Sequence, residues 1–304
     1  MRWLACLSLL ILAANLGAAQ QEKTSDFPKL SGPYLGQKPP GLKPELFAPG
    51  IVSTGLHEFS CCFTPDGKEF YFTRRDSSTN MSFIMETRVA KGRWTEPEVV
   101  PFVENSMSFE PRVTPDGKRM YFMFAKGGQA RARMPINVWY VDRQKGGWGA
   151  AQDAGAPFNP GAAMCISATR KGTLYTTNIS GGSGSECVAI ARLVYGKYHE
   201  LERVGPPISI GARDMYPYVA PDESYLLFDS QRIADQSRSN LFMSFRKKDG
   251  TWGDPLAVDE FCAVGERSQF GAGRSAQRVL QEDDGGSVVF RNLAELGGDL
   301  EGCQ

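Results

Sequence analysis

Several features that mark enzymes and nucleic-acid-binding proteins are missing from this chain of 304 residues. Lys plus Arg equals Asp plus Glu at 34 each, so there is no basic footprint for nucleic acid. Only two histidines occur, His57 and His199. His199 follows the aromatic residue of an outer turn, where solvent exposure is expected, and His57 opens an inner strand. No Gly-x-Ser-x-Gly elbow, phosphate loop, His-Glu-x-x-His or Cys-x-x-Cys is found. Beyond residue 20 no apolar stretch is long enough to span a bilayer. Six cysteines lie beyond that point (Cys61, Cys62, Cys165, Cys187, Cys262 and Cys303), too few for a disulfide framework in a chain of this length. Cys61 and Cys62 are consecutive on a strand and must point to opposite faces. Cys165 and Cys187 fall on strands that should not be neighbours. Buried free thiols are therefore expected, with no metal-binding spacing and no cofactor motif.

The amino terminus has a different character. Arg2 is followed by an apolar stretch over residues 4–16 and by Gly17-Ala18-Ala19, so residues 1–19 read as a cleaved secretory signal. That predicts a periplasmic or extracellular protein without a transmembrane segment after cleavage. Residues 20–44 are polar and rich in Gly, Pro and Lys, an extended lead-in. Residues 45–53 read as a β segment broken at Pro49-Gly50.

What is present in abundance is a repeat. Phe63-Thr64-Pro65-Asp66-Gly67-Lys68-Glu69-Phe70-Tyr71-Phe72 returns as Val113-Thr114-Pro115-Asp116-Gly117-Lys118-Arg119-Met120-Tyr121-Phe122. Proline presets φ for the first corner of a tight turn, and glycine takes the left-handed position that closes the hairpin. An aromatic run with β propensity follows each turn. Thr169-Arg170-Lys171-Gly172 and Pro221-Asp222-Glu223-Ser224 stand at the corresponding places further on. Taking Pro65, Pro115, Thr169 and Pro221 as equivalent gives steps of 50, 54 and 52 residues. Each unit has a second half: a strand, a Gly turn, and a strand opened by Trp94, Trp148, Tyr198 or Trp252. Four antiparallel strands per unit is the content of one propeller blade. The expected fold is all-β: a β-propeller over 45–304, with repeats at about 57–105, 106–160, 161–211 and 212–260. Five blades are expected, the closing one shared by 45–54 and 261–304. From Ala263 the pattern fades, and only 287–291 reads as a strand. Such a change in character is what a single-base frame error would leave.

The recurring Pro-Asp-Gly-Lys turn followed by an aromatic strand resembles the WD-repeat-like β-propeller family of the TolB type, over roughly residues 45–260. The resemblance implies a propeller, six blades being the alternative count, and it says little about activity. The third unit departs from it, lacking the Pro-Asp pair.

Candidate functional residues precede each turn on the inner strands: Glu58 and Ser60; Ser108, Glu110 and Arg112; Met164; Arg213, Asp214, Tyr216 and Tyr218. Carboxylates from several blades at one end of a channel can supply a general acid and base. Glu58, Glu110 and Asp214 are thus catalytic candidates, and Arg112, Arg213 and Tyr216 are candidate ligand contacts. Polar lining of a water-filled channel is the simpler account of the same residues. Lys248-Asp249-Gly250-Thr251-Trp252 misses the sialidase Asp-box by one residue and reads as a hairpin turn. The sequence thus favours an exported, monomeric, non-catalytic propeller that binds an envelope protein or glycan. The alternative is a sialidase- or arabinanase-like glycosidase.

Overall fold

The computed structural model describes residues 26–39, 45–104, 106–127, 136–233 and 240–258, with the backbone of three short strands between 271 and 292. Residues 1–19, expected to be a secretory signal, lie outside the described residues, as do Cys262 and Cys303. Four four-stranded antiparallel blades follow one another along the chain. From the inside outward, the first holds His57–Phe63, Glu69–Arg75, Ser82–Ala90 and Glu98–Val99. The second holds Ser108–Val113, Arg119–Phe124, Asn137–Gln144 and Gln152–Asp153. The third holds Ala163–Ala168, Leu174–Asn178, Cys187–Ala191 and Glu202–Arg203. The fourth holds Met215–Val219, Tyr225–Ser230, Asn240–Phe245 and Leu256–Ala257. The inner strands of all four meet at one central cavity. A further four-stranded sheet joins the two ends of the chain: Glu45–Leu46 pairs with Val288–Asn292, which pairs with Arg278–Glu282 and then Gly271–Ala272. It contacts the inner strand of the first blade. The molecule is thus a β-propeller of four contiguous blades, with a composite sheet made by both termini.

The turn chemistry is local and repeats almost atom for atom. Thr64 Oγ1 donates to Asp66 Oδ1 (2.7 Å), and Asp66 Oδ1 accepts from Lys68 N (3.1 Å). Thr114, Asp116 and Lys118 do the same at 2.7 and 3.1 Å. The third turn corrects the expected equivalence by one residue. Thr169, not Arg170, accepts the closing amide on its hydroxyl, as Thr64 and Thr114 do (Thr173 N, 3.1 Å). Arg170 therefore stands in the place of Pro65.

The second strands are buried on both faces, as stacked blades require: Phe70, Tyr71, Phe72 and Thr73 are all inaccessible. The aromatic residue of an outer hairpin packs on the preceding blade. Trp148 meets Tyr71 edge-on and donates Nε1–H to its hydroxyl (2.7 Å); Trp252 meets Tyr175 edge-on at 6.3 Å. Tyr198 lies 3.4 Å from the hydroxyl of Tyr121. Trp94 instead donates to Gly32 O (2.8 Å) in the lead-in. The lead-in is hence part of the core: Tyr34 and Leu35, in a short 3-10 turn, are buried with Phe47, Phe63 and Phe70. The expected β segment at 45–53 is shorter, a strand at Glu45–Leu46 and then a turn that buries Phe47 and Val52. Cys61 and Cys62 fall in different core clusters, on opposite faces, and Cys61, Cys62, Cys165 and Cys187 are all free thiols.

Candidate functional site

The axis is built by a device that recurs in all four inner strands. In each, two residues face one residue of the second strand: 60 and 61 against Phe72, 110 and 111 against Phe122, 165 and 166 against Thr176, 216 and 217 against Phe228. This is a β-bulge, and the first residue of each is left-handed without being glycine: Ser60 (φ 46), Glu110 (φ 59), Cys165 (φ 55) and Tyr216 (φ 52). The amides displaced from the ladder are accepted by threonines of the preceding blade. Glu110 N donates to Thr73 Oγ1 (3.0 Å) and Tyr216 N to Thr177 Oγ1 (2.8 Å). Side chains at and after the bulge link neighbouring blades. Cys165 Sγ–H donates to Glu110 Oε2 (2.7 Å), and Arg112 Nη1 donates to Ser60 Oγ (3.0 Å). Burial, and then the Glu110 carboxylate, push the Cys165 thiol well above its ordinary range, so it stays protonated.

Two residues before the bulge stand Glu58 in the first blade and Asp214 in the fourth, both completely buried. Glu58 Oε1 accepts from Arg74 Nε (3.1 Å) and from the Thr54 hydroxyl. Arg74 also binds Ile51 O and Val52 O, and lies over the Phe72 ring. Asp214 Oδ1 accepts from Ser230 Oγ (2.6 Å) and Arg232 Nη2 (2.9 Å); its Oδ2 takes the amides of Ile210 and Gly211 (2.9 and 3.2 Å). Arg232 reaches Pro207 O (3.0 Å) and lies over the Phe228 ring. These are matching latches that tie the incoming loop to its blade. Glu110 is placed differently, on the bulge, so the three carboxylates do not occupy one shared position. Arg213 pairs with Glu186 (3.3 Å), and Tyr216 is the fourth bulge residue. His199 is exposed, and the His57 ring lies tilted against Phe59 with centroids 5.0 Å apart.

Arg112 turns toward the other end of the axis. A cavity of about 260 Å3 opens there, lined by the residues that leave all four inner strands for their turns, among them Cys62, Arg112, Ser167, Arg170 and Tyr218. Burial, partly offset by the Arg112 charge, pushes the Cys62 thiol up to about 11, and burial pushes the Tyr218 phenol up to about 12. Both are neutral at physiological pH. Among the described residues no group of three His, Cys, Asp or Glu could hold a metal ion. Of these lining residues the sequence singles out Arg112 and Tyr218 as inner-strand candidates but not Ser167 or Arg170, since the turn beside them lacks the Pro-Asp signal.

The likeness to known proteins lies in the fold. No family model matches the chain, and no curated protein does. Among solved structures, a candidate glycoside hydrolase from Bacteroides ovatus is 12% identical, with a TM-score of 0.51 over 84% of this chain and 97% of its own. A TolB candidate from Agrobacterium tumefaciens is 12% identical, with a TM-score of 0.48 over 78% of this chain and 80% of its own. The catalytic domain of the GH62 α-L-arabinofuranosidase of Coprinopsis cinerea is 11% identical, with a TM-score of 0.49 over 87% and 96%. At such identities only the propeller is shared, and the fold hosts unrelated functions. Among the described residues no helix is long and apolar enough to cross a membrane.

Proposed function

We propose that the chain is an exported, monomeric, non-catalytic β-propeller that binds a protein or glycan in the cell envelope, in the periplasm or outside the cell. The observation that carries this reading is the engagement of Glu58 and Asp214. A glycosidase needs two carboxylates flanking one bond, separated by about 5–10 Å, with at least one free to exchange protons with substrate. Glu58 and Asp214 are fully buried and held by Arg74 and Arg232, which makes them anchors of the backbone. Of the three candidates only Glu110 lies on a bulge, and there it accepts the Cys165 thiol. Export rests on the signal-like residues 1–19.

The reading is tested by incubating the purified chain and its Glu110→Gln variant with a glycan library, alongside pull-down from an envelope extract. A retained partner without sugar release is the expected result. Turnover by the parent chain that is lost in Glu110→Gln would overturn it in favour of a glycosidase.

A further inference from the structure

The cavity at the turn end of the axis has an unbalanced charge. Arg112 and Arg170 line it, and among the described residues no carboxylate does. The half-buried Arg112 spends Nη1 on Ser60 Oγ (3.0 Å), Pro111 O (3.0 Å) and Cys61 O (3.3 Å). Its Nε and Nη2 make no hydrogen bond to a described residue, and Arg112 forms no ion pair with one. Arg170 is exposed; its backbone amide donates to Pro221 O (2.8 Å), its side chain makes no hydrogen bond to a described residue, and its charge acts on the Asp222 carboxylate, which does not line the cavity. A guanidinium with one edge free selects a planar, bidentate anion, which is the geometry of a carboxylate. The volume of about 260 Å3 falls below the roughly 300–1,000 Å3 of drug-sized sites, so one residue-sized group fits.

The lining also bears on what carries that carboxylate. The backbone amides of Thr64, Thr114 and Arg170 are spent on Glu69 O, Arg119 O and Pro221 O, and that of Val219 on Ser167 Oγ, so these four lining amides do not serve an entering peptide backbone. Ser167 Oγ accepts Val219 N–H (3.0 Å) and keeps its own proton to donate. The donors left over, the Arg112 Nε–Nη2 edge and the Ser167 hydroxyl, are side-chain groups, which suit a hydroxylated ring better than a peptide backbone. We propose that this cavity binds the carboxylate of a uronic acid, with Arg112 as the bidentate contact, Arg170 as the entry charge and Ser167 as a donor. The proposal rests on the reading of the propeller as a binding module, and specifies its ligand as an acidic sugar.

Isothermal titration with glucuronate, its neutral amide glucuronamide, and N-acetylalanine tests it. Glucuronate is expected to bind at least about tenfold more tightly than glucuronamide, and to weaken as salt is added. Arg112→Lys keeps the charge but loses the fork, and should weaken glucuronate about tenfold. Arg170→Ala, at an exposed position that leaves folding intact, should weaken it about threefold. Arg192→Ala, on an outer hairpin, should change nothing. Equal affinity for glucuronamide, or unchanged affinity in Arg112→Lys and Arg170→Ala, would overturn the proposal. Tighter binding of N-acetylalanine than of glucuronate would overturn it too, in favour of a chain-terminal carboxylate. If an envelope partner is retained while glucuronate fails to bind, this inference falls and the binding-module reading stands. Hydrolysis of a glucuronide would instead overturn the non-catalytic reading.

Discussion

The latch role of Glu58 makes a quantitative prediction for Arg74→Met. Methionine keeps an apolar stem over Phe72 but removes the charge 3.1 Å from a carboxylate with no solvent exposure. What remains for Glu58 is the Thr54 hydroxyl and a long bond from Thr54 N. Removing one member of a buried ion pair costs about 3–5 kcal/mol, because the survivor keeps its desolvation penalty. The Arg74 side chain is 19% exposed, so water can reach the vacated space and the lower end of that range applies. For a domain of this size each kcal/mol lowers Tm by about 2 °C, so a drop of about 6–8 °C is expected. In the double variant Glu58→Met/Arg74→Met most of the loss should return, since an apolar pair is nearly neutral against a buried salt bridge. Thermal unfolding of the purified chain, followed by circular dichroism across the four-member cycle, reads this directly. A free catalytic carboxylate behaves in the opposite way, with Glu58→Gln leaving Tm unchanged or higher. That result, or a coupling energy near zero, would refute the latch and return Glu58 to the list of catalytic candidates.

Other consequences can be checked separately. The thiols of Cys62, Cys165 and Cys187 are buried and shifted upward, so in a Cys262→Ser/Cys303→Ser background thiolate-directed reagents at pH 8 should label them only after denaturation. Labelling of Cys165 in the native state would contradict its bond to Glu110. Hydrogen bonds from the Ser224 hydroxyl and amide hold the Asp222 carboxyl below the ordinary aspartate value. A depressed folded pKa contributes stability above the unfolded value of about 3.9, and that contribution is lost as pH falls through the folded one. The Tm gap between the parent chain and Asp222→Asn should therefore be present at pH 6 and shrink as the pH falls below the unfolded value; a constant gap would count against it. Thr73→Val keeps the shape but strands the Glu110 amide, and should cost about 1–3 kcal/mol in urea denaturation; no loss would mean that the bulge does not depend on this bond.

What was legible in the sequence is what is local. The Pro65-Asp66-Gly67 and Pro115-Asp116-Gly117 turns carry their own hydrogen bonds within six residues, and each declares a hairpin unaided. The third turn slipped by one residue because the working group there is the Thr169 hydroxyl, which proline and aspartate counting ignores. The latches were not legible at all. Glu58 and Asp214 are visible as acids at or just before an inner strand, but their partners Arg74, on the second strand, and Arg232, just past the end of one, come in a register that no motif announces. Burial of Tyr34 and Leu35 in the polar lead-in was likewise hidden, being set by contact with Trp94 some sixty residues later.

The bulges are where local reading and tertiary structure part company. A left-handed residue usually means glycine, yet the four positions hold Ser, Glu, Cys and Tyr, and only Pro111 and Pro217, each just after a bulge residue, hint at a broken ladder. Each such residue costs on the order of 1–3 kcal/mol and persists only where its surroundings over-determine it. Here they do so across blades, through Thr73 and Thr177 on the displaced amides and through Arg112 and Glu110 on the side chains. The same kink sets both ends of the axis: the bulge residue meets the neighbouring blade, and the residue two places on (Cys62, Arg112, Ser167 or Tyr218) lines the cavity at the turns. A backbone device repeated four times thus presents four different side chains to one central space. The repeat accounts for the shape of that space, and its binding chemistry must come from the positions where the repeat differs, with Arg112 foremost among them.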